Sequence, residues 1–267
     1  AAQQQEEEEE DVYAGTPDSL FVSADGGATW TSAGIDPTSV QVTALAINPV
    51  DPSVVYAGSD GSGVYRTQDS GSTWTPVNTG LTSLRISDLA VDPGAPSTVY
   101  ASTFNQGVFR STNSGASWSA ANTGLTNLDV TSLAISSSNT NVLYVGTMNT
   151  TQVFRSSDKG DTWTDLTRDL PTGIAVSGLT VHPDSVSVIY AGLGAVYRIR
   201  WTGLEYRMLL STSPNPTALG LVDYDGDGNP DPVVANAEDG TITFFISRDR
   251  GTFFATSDMV VGGEPTT

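Results

Sequence analysis

The chain has 267 residues, with 11 Lys and Arg against 30 Asp and Glu, and its formal net charge is −19. A surface this acidic repels phosphate backbones and anionic headgroups, so nucleic acid is excluded as an expected partner. The absence of cysteine excludes disulfides and thiolate metal sites, and no apolar run approaches the ~20 residues that span a bilayer.

Residues 1–10 consist of two alanines, three glutamines and five glutamates. Charged low-complexity runs of this kind are usually solvated, so the sequence predicts an acidic N-terminal segment that precedes the fold. The chain starts with Ala1 and Ala2 rather than methionine, which suits a mature end left by signal-peptide cleavage. We therefore expect a secreted or cell-surface protein.

One motif recurs four times between residues 11 and 210: Ser or Thr, then Asp or Asn two residues later, then Gly, then Trp. The tryptophans follow one another at intervals of 44, 44 and 45 residues. A Tyr-Ala-Gly type strand precedes each motif, and a Val-aromatic-Arg strand precedes the second, third and fourth motifs, with nearly the same period. Repeats of this length that hold four short strands are typical of β-propeller blades, so the sequence predicts an all-β propeller of four-stranded blades.

The blade count follows from the same landmarks. Residues 11–33 lack the apolar strand that opens the later units, which we place at 40–80, 84–124 and 128–170. A fifth unit at 174–210 lacks the motif, and a sixth of different type follows. We expect residues 253–260 to supply the strand missing from the first blade, so that the N- and C-terminal strands close a ring of about six blades.

The four motifs resemble the Asp-box, or BNR, repeat found in propellers of sialidases, xyloglucanases, sortilin-like receptors and photosystem II assembly factors. The third copy departs from that pattern at Asn113 and Ser117. The resemblance implies fold-stabilising turns, in which the acid accepts backbone hydrogen bonds and the tryptophan secures the loop. A carbohydrate-stacking tryptophan is the alternative. The residues concerned are Asp25, Trp30, Asp69, Trp74, Asn113, Trp118, Asp158 and Trp163.

A different signal lies in the sixth unit, where acidic residues alternate with Gly and Asn. Asp223, Asp225 and Asp227 would offer carboxylates, Asn229 its backbone carbonyl and Asp231 a further carboxylate. Oxygen donors at alternate positions suit Ca²⁺, which takes six to eight of them, better than Mg²⁺. Val234 stands where an EF-hand has its glutamate. The sequence therefore predicts a structural calcium loop, with a solvated acidic turn as the alternative.

This loop resembles the FG-GAP, or VCBS, repeat of integrin α-chain propellers over residues 217–256. We accordingly divide the chain into an acidic segment at 1–10, Asp-box blades at 11–210 and an FG-GAP-like blade with closing strand at 211–267, the last two in one propeller. Tandem FG-GAP repeats suggest a longer natural chain. A subunit of a larger surface assembly or filament is therefore one alternative function.

The catalytic alternative is a glycoside hydrolase of sialidase or xyloglucanase type, and it finds little support in the sequence. The recurring Arg66, Arg110, Arg155 and Arg198 occupy one blade position, which favours a structural role over a converging arginine triad. His182, the single histidine, lies at a turn position held elsewhere by Asn48 and Asp92. We therefore predict no catalytic residues and a non-catalytic module that binds protein or glycan on its loops.

One modification motif remains, the sequon Asn149-Thr150-Thr151. It falls in a predicted turn, so Asn149 is a candidate N-glycosylation site if the source cell glycosylates secreted proteins.

Overall fold

The computed structural model describes residues 11–16, 19–33, 40–167, 170–201, 205–210, 216–236, 241–248, 252–255 and 259–260. The acidic segment predicted at residues 1–10 lies outside this part of the chain. Within it, all regular secondary structure is β, which confirms the predicted all-β class. It contains no helix of the length and apolarity needed to cross a membrane.

The described strands form six sheets in which successive strands lie side by side, except that the last strand of the sixth sheet pairs with the third strand of that sheet. The first holds β1 (Val12–Gly15), β2 (Leu20–Ser23) and β3 (Thr31–Ser32); the second β4 (Val42–Ile47), β5 (Val55–Ser59), β6 (Gly63–Thr67) and β7 (Thr75–Pro76); the third β8 (Ile86–Val91), β9 (Val99–Thr103), β10 (Gly107–Ser111) and β11 (Ser119–Ala120); the fourth β12 (Val130–Ile135), β13 (Leu143–Thr147), β14 (Val153–Ser156) and β15 (Thr164–Asp165). The fifth holds β16 (Gly178–Val181), β17 (Val188–Gly192), β18 (Val196–Arg200) and β19 (Glu205–Leu210); the sixth β20 (Pro216–Val222), β21 (Asp231–Asn236), β22 (Thr241–Arg248), β23 (Thr252–Ala255) and β24 (Met259–Val260).

The chain divides into two compact units, each with its own core. One unit contains Ala1–Ala101 and Ser111–Ser119, and the other contains Ser102–Arg110 and Ala120–Thr267. In the first unit a buried cluster comprises Leu20, Ala33, Val40 and Ala57. In the second, one cluster spans the fourth and fifth sheets, and another joins the fifth to Val234 and Phe245 of the sixth.

The Tyr-Ala-Gly strands form the most deeply buried layer of the sheets. Every residue of β5, β9, β13 and β17 is buried. A strand is buried on both faces only when other layers cover both, so these short apolar runs carry most of the packing. The glycine has a steric reason, since a Cβ on Gly58 would lie 2.6 Å from Ile86 Cγ2 in the next sheet.

The recurring motifs form four turns with the same hydrogen-bond pattern, which we call the repeat turns: Ser23–Trp30, Thr67–Trp74, Ser111–Trp118 and Ser156–Trp163. In the fourth, the Ser156 hydroxyl donates to Asp158 Oδ1 at 2.7 Å and accepts the Gly160 N–H at 2.8 Å. Asp158 then accepts the Thr162 N–H at 2.9 Å and its hydroxyl at 2.6 Å. One carboxylate therefore closes the whole loop.

The third repeat turn keeps this network with different chemistry. Asn113 Oδ1 accepts the Ser111 hydroxyl and the Ser117 N–H, both at 2.9 Å. Its Nδ2 donates to Ser117 Oγ at 2.9 Å, whereas the aspartates accept a hydroxyl at this point. The paired change of Asp to Asn and Thr to Ser therefore leaves the turn intact.

The tryptophans of the third and fourth turns bind the preceding sheet instead of their own. Trp118 Nε1 donates to Val77 O at 2.7 Å, and Trp163 Nε1 donates to Ala121 O at 2.8 Å. Both rings are buried, with 6% and 5% of their surface exposed. Each ring thus couples two consecutive blades. The sequence had predicted only that the tryptophan secures its own loop.

A second repeating motif, Asn-Thr-Gly, receives these tryptophans. The backbone N–H of Trp118 donates to Thr79 O at 2.8 Å. A Cβ on Gly80 would lie 2.2 Å from Trp118 O, so the approach requires glycine. Residues 122–124 make the same contacts with Trp163. This second repeating motif was the sequence signal for the contact between consecutive blades.

The last strands pair differently from the prediction. Residues 253–260 were expected to complete the first blade, but β23 and β24 both pair with β22. A hairpin partner that is close along the chain costs little loop-closure entropy, which favours this pairing over a distant one. In the described residues the first sheet therefore has three strands, β1 to β3.

We predict that Trp163→Phe lowers the free energy of unfolding by about 1 kcal/mol, because the ring volume is largely kept while a buried hydrogen bond is lost. Trp30, at the same motif position, is 42% exposed, so Trp30→Phe is the matched control and should have little effect. Urea unfolding of both variants tests this. Equal losses would contradict the assignment of the coupling to Trp163.

Candidate functional site

The predicted calcium loop connects β20 to β21 and projects from the sixth sheet. Gly226 and Gly228 have φ values of +74° and +84°, which let the chain reverse direction within a few residues. The loop brings oxygen atoms of Asp223, Asp225 and Asp227 within 4.8 Å of one another, and all three residues are exposed.

Backbone amides hold these carboxylates in place. Gly228 N–H donates to Asp223 Oδ2 at 3.0 Å, and Asn229 N–H donates to Asp227 Oδ1 at 2.8 Å. The Asp227 N–H donates to Asp225 Oδ1 at 3.2 Å. Three carboxylates at this spacing repel one another, and a hard cation is the group that relieves such repulsion.

The other two predicted ligands are placed differently. Asp231 is the first residue of β21 and is fully buried, and its Oδ2 accepts the Tyr224 N–H at 3.0 Å. It is not one of the three clustered carboxylates. Asn229 lies in the exposed loop. The donor set fits a hard cation in chemistry, with three of the six to eight oxygens such an ion takes supplied by the cluster.

A groove of about 320 Å³ adjoins the predicted calcium loop. It lies between the fifth and sixth sheets, and its two acidic side chains are Asp184 and Asp223. Its walls combine both sheets' apolar and small residues, namely Thr180, Val181, Pro183, Leu221, Val222, Gly228 and Pro230. The sequence did not predict this groove, because it depends on how two consecutive sheets pack.

His182 lies in the turn beside this groove, where its ring acts as a hydrogen-bond acceptor. Its Nδ1 accepts the Asp184 N–H at 3.2 Å. Asn48 Oδ1 accepts the Val50 N–H at 2.9 Å in the same way, and Asp92 Oδ1 the Gly94 N–H. The histidine therefore takes the turn role that its position predicted.

The candidate glycosylation site lies in the turn between β13 and β14. Asn149 is exposed and has a left-handed φ of +70°. The hydroxyl residue of its sequon, Thr151, is fully buried, and its Oγ1 accepts the Ile174 N–H at 2.7 Å. The asparagine is thus open to modification, whereas the threonine serves the fold.

The recurring arginines contact the next sheet. Arg66 Nη1 donates to Ser114 O at 2.7 Å. Arg110 Nη1 donates to Lys159 O at 2.8 Å and pairs with Asp161. Arg155 of the fourth sheet lies 4.3 Å over the ring of Trp201 in the fifth sheet, which has no repeat turn.

The repeat turns also set the protonation of their acids. Hydrogen bonds from Ser23 and Thr29 lower the pKa of Asp25 to about 2. The Thr73 and Thr67 hydroxyls lower the pKa of Asp69, and those of Thr162 and Ser156, with the Thr162 N–H, lower that of Asp158. These carboxyls stay ionised at neutral pH. They therefore have no proton to donate as general acids.

Comparison with known proteins identifies the class. A profile of the DUF6242 beta propeller domain matches residues 46–187, which is more than half of the chain. The chain therefore belongs to the DUF6242 beta propeller family, and the six sheets are the blades of a β-propeller of about six blades. No curated protein matches the chain's sequence.

Solved structures agree on the fold. The chain is similar to an ancestral GH74 enzyme, with a TM-score of 0.76 and 16% identity over 93% of this chain and 39% of that one. The GH74 xyloglucanase from Xanthomonas campestris is similar with a TM-score of 0.69 and 17% identity, over 91% of this chain and 45% of the enzyme. The structure of YCF48 bound to D1 peptide is similar with a TM-score of 0.63 and 13% identity, over 88% of this chain and 74% of YCF48. The chain thus spans less than half of these two enzymes.

We predict that stability falls as the pH drops below about 6.5, the ordinary histidine pKa. Burial lowers the pKa of His182, with Asp184 opposing the shift and Arg198 adding to it, so the unfolded chain binds a proton more readily than the folded one. Protonation also removes the Nδ1 acceptor. His182→Asn keeps an acceptor, as at Asn48, and should flatten this part of the profile. Thermal melting from about pH 8 to 5 tests it, and identical profiles would contradict it.

Proposed function

We propose that the chain is an extracellular, non-catalytic β-propeller module that binds a protein or glycan on its loops and holds a structural calcium ion in loop 223–231. One observation carries the non-catalytic part. The charged side chains that recur along the blades are used in turns and inter-blade contacts, as with Asp158 and Arg110. Among the described residues, these groups are engaged in holding the architecture together.

We also infer that the repeat turns are Asp-boxes and that the sixth blade is of the FG-GAP type. The spacing of the motifs and the single carboxylate that closes each of three turns support the first inference. The alternating aspartates and the positive φ values of Gly226 and Gly228 support the second.

The calcium proposal is supported by the cluster of Asp223, Asp225 and Asp227. A bound cation would offset the repulsion of the three carboxylates and rigidify the loop. Asp231 would then act from β21 by holding the Tyr224 backbone, which positions the first half of the loop. Carbonyls and water would complete the coordination.

Among the similar solved structures, YCF48 favours a protein or peptide ligand for this chain, and the GH74 enzymes favour a glycan. YCF48 is a propeller of this fold whose structure holds a peptide. The GH74 enzymes favour the runner-up function, a glycoside hydrolase. That reaction needs a carboxylic acid with a raised pKa opposite a second carboxylate. The shifts of Asp25, Asp60, Asp69 and Asp158 all run downwards.

We predict that calcium raises the melting temperature of the chain. At a concentration about 100-fold above Kd the ion would stabilise the fold by about 2.7 kcal/mol. Magnesium at the same concentration should have a smaller effect, because it requires a tighter octahedral site. Calorimetry with calcium, magnesium or chelator measures the difference.

Asp225→Asn should abolish this calcium effect. Asp184→Asn removes one negative charge near the same loop but outside the cluster, and it should retain the full response. The proposal fails if the wild-type chain melts at the same temperature with calcium and with chelator, or if both variants respond equally.

We further predict that the chain releases no sugar from xyloglucan or from a sialylated glycan. Reducing-end assays with the full chain, in calcium, test this against a GH74 xyloglucanase as positive control. Hydrolysis that survives in independent preparations would favour the glycoside hydrolase. Saturable binding of the oligosaccharide without hydrolysis would assign a glycan to the proposed module.

A further inference from the structure

The sequon Asn149-Thr150-Thr151 has two parts that a glycan transferase must reach, and the fold treats them differently. The asparagine supplies the amide that is modified, and the transferase recognises the hydroxyl of the third residue. Asn149 is exposed, whereas Thr151 is 0% exposed. Exposure of the asparagine therefore does not decide whether the folded chain is a substrate.

The hydroxyl of Thr151 is occupied within the protein. It donates to Ile174 O at 2.5 Å and accepts the Ile174 N–H at 2.7 Å. The donor role and an acceptor role of this hydroxyl are thus both used by one residue of the segment that leads into the fifth blade. A transferase can engage the hydroxyl only after these bonds are broken.

The same segment makes further contacts with the fourth blade, and we call its residues 174–176 the strap. Val176 is fully buried, and its N–H donates to Thr147 O at 3.1 Å. Its carbonyl accepts the Thr131 hydroxyl at 2.6 Å. A Cβ on Gly146 would lie 2.3 Å from Val176 Cγ1, so the strap lies directly against β13. The strap is therefore bonded to the fourth blade at both of its ends.

The backbone of Thr151 shows how unusual this contact is among the blades. Its φ is +47°, a left-handed value that is strained for a β-branched residue. In the second and third blades a glycine N–H makes the corresponding contact, from Gly63 to Leu84 O and from Gly107 to Leu128 O, both at 2.9 Å. In the fourth blade the Thr151 hydroxyl makes it instead, so threonine occupies a conformation that favours glycine.

The order of synthesis leaves the sequon open for a time. Ile174 follows Thr151 by 23 residues, so the hydroxyl has no strap to bind when the sequon is first made. At about 5–20 residues per second, this window lasts roughly 1 to 5 s. After the strap docks, Asn149 is still exposed, so a glycan that is already attached is compatible with the fold.

We propose that Asn149 is a glycan acceptor only before the strap docks, and that folding of the fifth blade closes the sequon to the transferase. The donor is an oligosaccharide linked through diphosphate to a lipid. The Asn149 amide nitrogen forms a bond to C1 of the first sugar and loses one proton, while the bond from C1 to the diphosphate breaks and the diphosphate keeps the electron pair. This inference goes beyond the proposed function and depends on neither calcium nor a ligand on the loops.

The experiment combines a purified oligosaccharide transferase with its lipid-linked donor and locates the glycan by mass spectrometry. A peptide of residues 145–155 contains the sequon without the strap and should be modified. The full chain, folded and unmodified at the start, should react at Asn149 at least about tenfold more slowly, because the reaction requires local opening of the strap.

Asn141→Thr supplies a matched control in the same blade, since it creates a sequon that begins at Asn139. Asn139 and Asn141 are both exposed. The Lys159 N–H donates to the backbone carbonyl of Asn141, which the change keeps. In this folded variant Asn139 should be modified while Asn149 is not. Asn141→Ser creates the same sequon with a smaller side chain and repeats the test, and the melting temperature checks that each variant is folded.

The proposal is overturned if the folded chain is modified at Asn149 as fast as the peptide. It also fails if the peptide is not modified at all. If Asn139 stays unmodified in both folded variants, folding in general and not the strap blocks the transfer, and the proposal is likewise overturned.

Discussion

A four-stranded blade has two apolar faces and cannot bury either without a neighbour, and the contacts between consecutive blades satisfy this constraint. The indole N–H groups of Trp118 and Trp163 each bond a carbonyl of the preceding blade. Arginines make the converse contact to the following repeat turn. The third blade is thus bonded to both of its neighbours by groups that lie outside its own sheet, as expected for a repeat architecture.

The acidity of the chain is partly explained by the same turns. Asp25, Asp69 and Asp158 each accept several hydrogen bonds, and their pKa values are lowered as a result. A carboxylate is a better acceptor than an amide oxygen, so the turn gains strength from the ionised form. Asn113 shows that the charge is not required, since the third turn closes with a neutral amide. These acids therefore serve architecture, and their number says little about catalysis.

Local features of the fold were accessible from the sequence, because they depend on residues close in the chain. The period of Tyr, Arg and Trp predicted the blade units, and the role of His182 followed from its equivalence to Asn48 and Asp92. Contacts between sheets were accessible only in part. The Asn-Thr-Gly period marks the residues that receive Trp118 and Trp163, but the carbonyl of Ala121, which accepts the Trp163 indole N–H, carries no side-chain signal. The pairing of β24 with β22 is likewise not specified by the residues of the strand itself.

The candidate site was likewise predictable from the sequence only in part. The alternating residues predicted a loop with five converging ligands, and the carboxylates of Asp223, Asp225 and Asp227 do converge in a loop that turns at Gly226 and Gly228. The sequence could not assign Asp231, because the same spacing allows a residue to turn inward at the start of a strand. Its burial and its bond to the Tyr224 backbone depend on where β21 begins.

Where a blade lacks the repeat turn, other interactions replace the contacts of that turn. Functional differences can accumulate at such positions. The fifth blade has Trp201 in place of a repeat turn. The Trp201 N–H still donates to Ser187 O at 3.2 Å, as the Lys159 N–H donates to Asn141 O in the fourth blade. Arg155, without a turn carbonyl ahead of it, stacks on the new ring. The contact between the fourth and fifth blades therefore survives the loss of the repeat turn.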